Sequence, residues 1–159
     1  MKKEKEKPNY GTRQLFLDTL QKIGCQYKIS DIDHEHPIWF HYQGELMTAM
    51  ADDSVRYVSI VNEFWDRSED TMTKSLENIW MAVNDINRDF HVSTYFDISS
   101  GTGSIDISSG INILFVKEIP HLDDYLRKML RNFFCMQNAY WHELARLEAD
   151  IEVSQDTNK

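Results

Sequence analysis

The chain has 159 residues, of which 42% are hydrophobic and 27% charged, with a net charge of −9 and a pI near 5.0. Hydrophobic content this high excludes a disordered chain, and 6 glycines with 3 prolines exclude a collagen-like or linker-rich one, so the length predicts a single globular domain. The first seven residues hold four lysines and two glutamates; the remaining 13 basic and 24 acidic residues leave the body at −11, which repels phosphate backbones, argues against nucleic acid and favours a basic or neutral partner.

Residues 1–11 read as a charged flexible tail. No apolar stretch follows them as a signal peptide requires, and Glu4 and Glu6 dilute the positive charge that a lipid surface would attract. Thr12 is a candidate N-cap for a first helix carrying Phe16, Leu20 and Ile23, which Gly24 can end in a left-handed conformation. Asp31, Asp33, Glu35 and Pro37 mark a loop. Ile38, Phe40 and Tyr42 then alternate with Trp39, His41 and Gln43 as a strand. Gly44 and Glu45 can turn the chain into a second strand, Leu46 to Ala51. Asp52, Asp53 and Ser54 supply turn chemistry before a third, Tyr57 to Asn62.

After a loop around Asp66 to Asp70, Met72, Leu76, Ile79, Val83, Ile86 and Phe90 recur at spacings of three and four, one face of a helix of about five turns. A fourth strand places Val92, Thr94, Phe96 and Ile98 on one side. Beyond the Gly101 and Gly103 loop, Ile105, Ile107, Ile111, Ile113 and Phe115 keep one phase, with Ser109 filling the gap and Ser104, Asp106, Ser108 and Asn112 on the solvent side. The phase survives Gly110, which predicts one long strand with Gly110 as a candidate bulge. Pro120 opens a final helix with Asp123 and Asp124 near its positive end. Its stripe runs Leu122, Leu126, Met129, Phe133, Met136, Tyr140, Leu144, Leu147 and Ile151, before a polar tail at 154–159. The predicted fold is α+β: an antiparallel sheet of about five strands packed by helices, in the order α-β-β-β-α-β-β-α, over residues 12–153.

This order resembles the YbjN-like proteins, which belong with the type III secretion chaperone-like fold. The likeness rests on the helix ending Ile23-Gly24-Cys25, on the acidic loop leading into Ile38-Trp39-Phe40-His41-Tyr42-Gln43-Gly44, and on the helix Leu76 to Phe90 running straight into Val92 to Ile98. It spans roughly Arg13 to Asp150 and consists of residue-class patterns. The resemblance implies an antiparallel sheet packed by helices, frequent dimers, and neither catalytic residues nor a cofactor to transfer.

Chemical motifs are sparse. Cys25 and Cys135 form no CxxC pair and read as reduced, buried thiols, which fits a cytoplasmic protein, and no apolar run approaches a membrane span. His34, Glu35, His36 and His41 with Asp31, Asp33, Asp52 and Asp53 could converge on a metal; within the His/Asp-rich loop 31–41 and the later turn, His34, His36, Asp52 and Asp53 are the candidate ligands. HExxH spacing is absent, and His36 and Tyr42 stand where a calcium loop needs Gly and Glu. Gly101-Thr102-Gly103 enters a strand rather than a helix, which suits a hairpin and not a phosphate loop. No GxSxG elbow surrounds a serine, and His142 and Glu143 splay apart on their helix as surface polar residues.

Aromatic content is the remaining signal. Leu130, Phe134 and Trp141 form a second seam beside the final helix's stripe. The helix, roughly 45 Å over His121 to Ile151, is longer than such a sheet needs. Its overhang is predicted to carry Tyr140, Trp141, Leu144 and Leu147 as a protein interface, serving a homodimer, unless the helix breaks near Asn138 and folds back. The functional expectation is a non-catalytic protein-binding domain, chaperone-like or a regulatory adaptor. A metal-binding module or metal-dependent enzyme is the alternative.

Overall fold

The computed structural model describes residues 8–30, 36–69 and 73–156. In chain order the elements are α1 (Thr12–Lys22), β1 (Tyr27–Ile29), β2 (Ile38–Tyr42), β3 (Glu45–Ala51), β4 (Tyr57–Ser68), α2 (Thr73–Asp89), β5 (Ser93–Ile98), β6 (Ile105–Leu114) and α3 (Leu122–Asp156). The strands form one antiparallel sheet ordered β1-β2-β3-β4-β6-β5, so the fold is α+β with six strands rather than five. Residues group into two compact units, Met1–Asn62 with Gly110–Leu130, and Glu63–Ser109 with Arg131–Lys159.

In the first unit, α1 buries Phe16, Leu17 and Leu20. Phe16 meets Phe40 and Phe115 edge-on, with centroids 6.1 and 5.4 Å away. Thr12 is not the N-cap: Gly11 is, at φ +66, while the Thr12 hydroxyl donates to the Val55 carbonyl. The orphan N–H of Arg13 instead donates to the Asp53 carboxylate at 2.7 Å. Residues 9–11 are also tied down, because Tyr10 N–H donates to the Asp53 carbonyl and the Tyr10 ring carries the Arg56 guanidinium. At the other end Gly24 takes φ +86, and its N–H and that of Cys25 donate to Gln21 and Leu20, a Schellman ending.

The strand β1 is absent from the expected order. It pairs with β2 through Tyr27 with Phe40, Lys28 with Trp39 and Ile29 with Ile38. Between β2 and β3 the turn is Gln43-Gly44, one residue earlier than expected, with both φ positive and Tyr42 paired to Glu45. Ile38, Phe40, Met47, Ala49, Val58, Ile60 and Ile113 form the buried face that receives α1 and the first turns of α3.

In the second unit, the segment expected to be a loop from Asp66 is still strand, since β4 continues to Ser68. Two partners on β6 hold it: Arg67 pairs with Asp106 at 2.5 Å, and Phe64 donates its N–H to the Ser108 hydroxyl. Phe64 has φ +52, an outlying conformation for a bulky residue, which breaks the strand's alternation. These bonds also explain why Asp106 and Ser108, expected to face solvent, are buried; Ser104 is buried too, in the hairpin beside the Thr102 hydroxyl. As expected, β6 is one unbroken strand through Gly110. The helix α2 buries Ile79, Ala82, Val83 and Ile86, and its Asn87 amide bonds both the N–H and C=O of Thr94 at 2.7 Å. The Gly101–Gly103 segment is the expected hairpin, with Gly103 at φ +73. The final helix runs unbroken past Asn138 to Asp156, so the polar tail begins later than 154.

Candidate functional site

The four residues proposed on the final helix do not form one exposed patch. Tyr140 is fully buried and Leu147 nearly so, Leu144 is half-buried, and Trp141 is 46% exposed. Because β4 runs to Ser68, it brings Trp65 under the helix. Tyr140 stacks edge-on against Trp65 and Trp141 at 5.2 and 5.3 Å, and the Trp65 indole N–H donates to the Ser109 hydroxyl. Tyr140 and Leu147 are core of their own unit, whereas Trp141 keeps one side in solvent. The expected overhang fails for Tyr140 because β4 is longer than its apolar pattern indicated and sets Trp65 against it, and Leu147 is also buried. Burial, with Asp66 and Glu148 nearby, pushes the Tyr140 hydroxyl well above the usual tyrosine range. Cys135, expected in the core, is exposed, whereas Cys25 is buried and burial raises its thiol; both are free.

The proposed metal ligands are partly brought together. His34 lies outside the described residues, as do Asp31, Asp33 and Glu35. His36, Asp52 and Asp53 line one cavity of about 640 Å³ together with Arg13. Their polar atoms are engaged: Asp52 accepts from Ser54 N–H at 2.6 Å, Asp53 caps α1, and His36 Nδ1 lies 3.0 Å from the Ser30 carbonyl. The Arg13 guanidinium donates to the Ala51 and His36 carbonyls, which sets a fixed cation where a metal would need anionic ligands. Among the described residues no group of three or more His, Cys, Asp or Glu side chains could hold a metal.

The most distinctive surface lies on the first unit's other sheet face. Strand alternation sends Lys28, Trp39, His41, Leu46, Thr48, Met50 and Tyr57 away from the face that α1 covers. Trp39 is 43% exposed, Leu46 53% and Tyr57 58%, with Leu114 of β6 on the same side. Large apolar side chains more often turn inward, and here four of them share one solvent face. At the β1 end this face carries a groove of about 440 Å³ lined by Gln26, Tyr27, Lys28, Trp39, His41 and Leu46. Among the described residues no carboxylate lines it.

No known protein family matches the chain. No curated protein matches it either. Among solved structures it is similar to an uncharacterized protein from Methanothermobacter thermautotrophicus, at a TM-score of 0.62 and 16% identity, over 86% of this chain and 99% of that one. Likeness at that identity carries the fold and nothing of the chemistry. No helix among the described residues is long and apolar enough to cross a membrane.

Sequence reasoning missed this surface because Trp39, His41 and Leu46 were read only as strand alternation, with no face assigned to solvent. A signal was present. Cys25, Tyr27 and Ile29 alternate with Gln26, Lys28 and Ser30, the period-two pattern of the missing strand, which supplies one wall of the groove.

Proposed function

We propose that the protein is a non-catalytic protein-binding domain, a chaperone-like or regulatory adaptor, that acts through the solvent face of β2, β3 and the start of β4. The observation that carries this reading is the exposure of Trp39, Leu46 and Tyr57 on one sheet face. Trp and Tyr are enriched among interface hot spots, and here Trp39 and Tyr57 share a rigid sheet face with Leu46. The resemblance to YbjN-like and secretion-chaperone proteins supports the same reading, and two free cysteines suit the cytoplasm.

Photo-crosslinking in the native cell tests it. A benzoylphenylalanine placed at Tyr57 is expected to trap a discrete protein adduct, whereas one at Asp18, exposed on α1, is not. Introducing Trp39→Asp and Leu46→Asp together is expected to abolish the adduct while leaving the melting temperature within a few degrees, since exposed substitutions typically shift stability by about 0.5 kcal/mol or less. Identical adducts from both probe positions, or an adduct indifferent to the double substitution, would sink the reading.

A further inference from the structure

We propose that β1 is an acceptor edge for an extended segment of another protein, one that carries a carboxylate opposite Lys28 and an apolar side chain two residues later. The inference rests on the protein-binding reading and names the partner's chemistry. β1 is the terminal strand of the sheet. Ser30 donates its N–H to the Pro37 carbonyl. Antiparallel ladders alternate, so Lys28 and Ser30 direct their backbone groups at β2, and the N–H and C=O of Tyr27 and Ile29 project from the side that no described strand pairs. Those two residues are the rungs an incoming strand would use. The other end of the sheet differs. On β5 the Asn87 amide already occupies both backbone groups of Thr94, so that rung is closed.

An added strand sends alternate side chains to the two faces, and the β1 edge has a hollow on each. One is the 440 Å³ groove beside Trp39 and Leu46; the other, of about 480 Å³, is lined by Gln21, Gly24, Cys25, Gln26 and Tyr27. Among the described residues neither is lined by a carboxylate, although the chain as a whole carries −9. Lys28 stands on the outer row, directly across from Trp39.

Charge also argues against a second copy of this chain as the occupant. Two β1 strands pairing antiparallel through both free rungs would match Tyr27 with Ile29 of the other copy. That register sets Lys28 opposite the other Lys28 in the close, non-hydrogen-bonded position, where like charges destabilise. A strand bearing Asp or Glu there gains what self-pairing loses. In an antiparallel addition the next side chain on the same face comes two residues later, over the groove beside His41 and Leu46. An apolar residue suits that position.

The probe is a blocked heptapeptide, acetyl-Thr-Thr-Glu-Val-Leu-Thr-Thr-amide, added to the full chain and followed by amide NMR shifts. Saturable shifts centred on Tyr27, Lys28 and Ile29 are expected, with affinity reduced about tenfold when the peptide's Glu is replaced by Lys. The Lys28→Glu protein should reverse that preference. Lys28 is exposed, so the variant folds. Absence of saturable shifts at the edge, a charge preference that Lys28→Glu leaves unchanged, or a wild-type dimer crosslinked through Lys28 would each overturn the proposal. Failure here with the Tyr57 adduct still lost in the Trp39→Asp, Leu46→Asp variant refutes the edge alone. Failure here together with a Tyr57 adduct that is missing from wild type, or that survives the double substitution, refutes the protein-binding reading as well.

Discussion

Tyr140 is the residue whose chemistry is most altered by the fold. Its ring is packed between Trp65 and Trp141, yet its hydroxyl finds no hydrogen-bonding partner among the described residues. A buried hydroxyl without a partner loses its hydration and gains nothing in return, so Tyr140→Phe is expected to be neutral or to stabilise by about 1 kcal/mol. Truncation to Ala, by contrast, would remove the ring and cost about 3 to 5 kcal/mol. The same burial raises the folded-state pKa of this hydroxyl. The unfolded chain therefore ionises first, near pH 10, and releases a proton that the folded chain keeps. Stability from this group is complete below that pH and declines above it, by about 1.4 kcal/mol per pH unit. Urea midpoints measured from pH 9 to 11 check this: wild type should fall more steeply than Tyr140→Phe, and parallel curves would show that Tyr140 does not govern the alkaline limb.

At the scale of elements, the helix α2 and the long strand β6 were legible because their apolar phase is uninterrupted, whereas β1 and the far half of β4 were not. A three-residue strand offers too few alternations to stand out from a loop. The β4 extension reads as Asp66-Arg67-Ser68, and it is held by Asp106 and Ser108, some 40 residues away in sequence, which no local pattern announces. For the same reason the helix pattern alone predicts an overhang at Tyr140, where Trp65 of the β4 extension in fact packs. Asp53 is a parallel case in which a residue type suggested a metal and the geometry gives a helix cap. Replacing Asp53 by Ala is therefore expected to cost about 1 kcal/mol through the lost bond to the Arg13 N–H. Zinc or manganese should raise the melting temperature of neither protein. A metal-dependent rise in wild type that Asp53→Ala removes would restore Asp53 as a ligand.

For the whole molecule, what matters is how the chain visits its two compact units. It crosses from one to the other three times, at 62–63 within β4, at 109–110 within β6 and at 130–131 within α3. None of the crossings is a loop. Each continues a hydrogen-bonded element, so neither unit can lose its structure without opening the middle of a strand or a helix of the other. Domains that unfold separately are usually joined by exposed linkers that few contacts cross. Continuous elements of this kind favour a single cooperative transition, as is usual for chains of this size. The four tryptophans report the two units separately, Trp39 for the first and Trp65, Trp80 and Trp141 for the second. With 5-fluorotryptophan incorporated, all four resonances are expected to lose native intensity at one urea midpoint, with a common slope of about 1 to 3 kcal/mol per molar urea. If Trp39 melted at a different midpoint from the other three, the units would be independent domains despite the shared strands. Under either account a fragment ending at Asn62 stays unfolded, because it lacks Ile113, Phe115, Leu126 and Leu130 of the first unit's own core, so the Trp39 midpoint in the full chain is the deciding measurement.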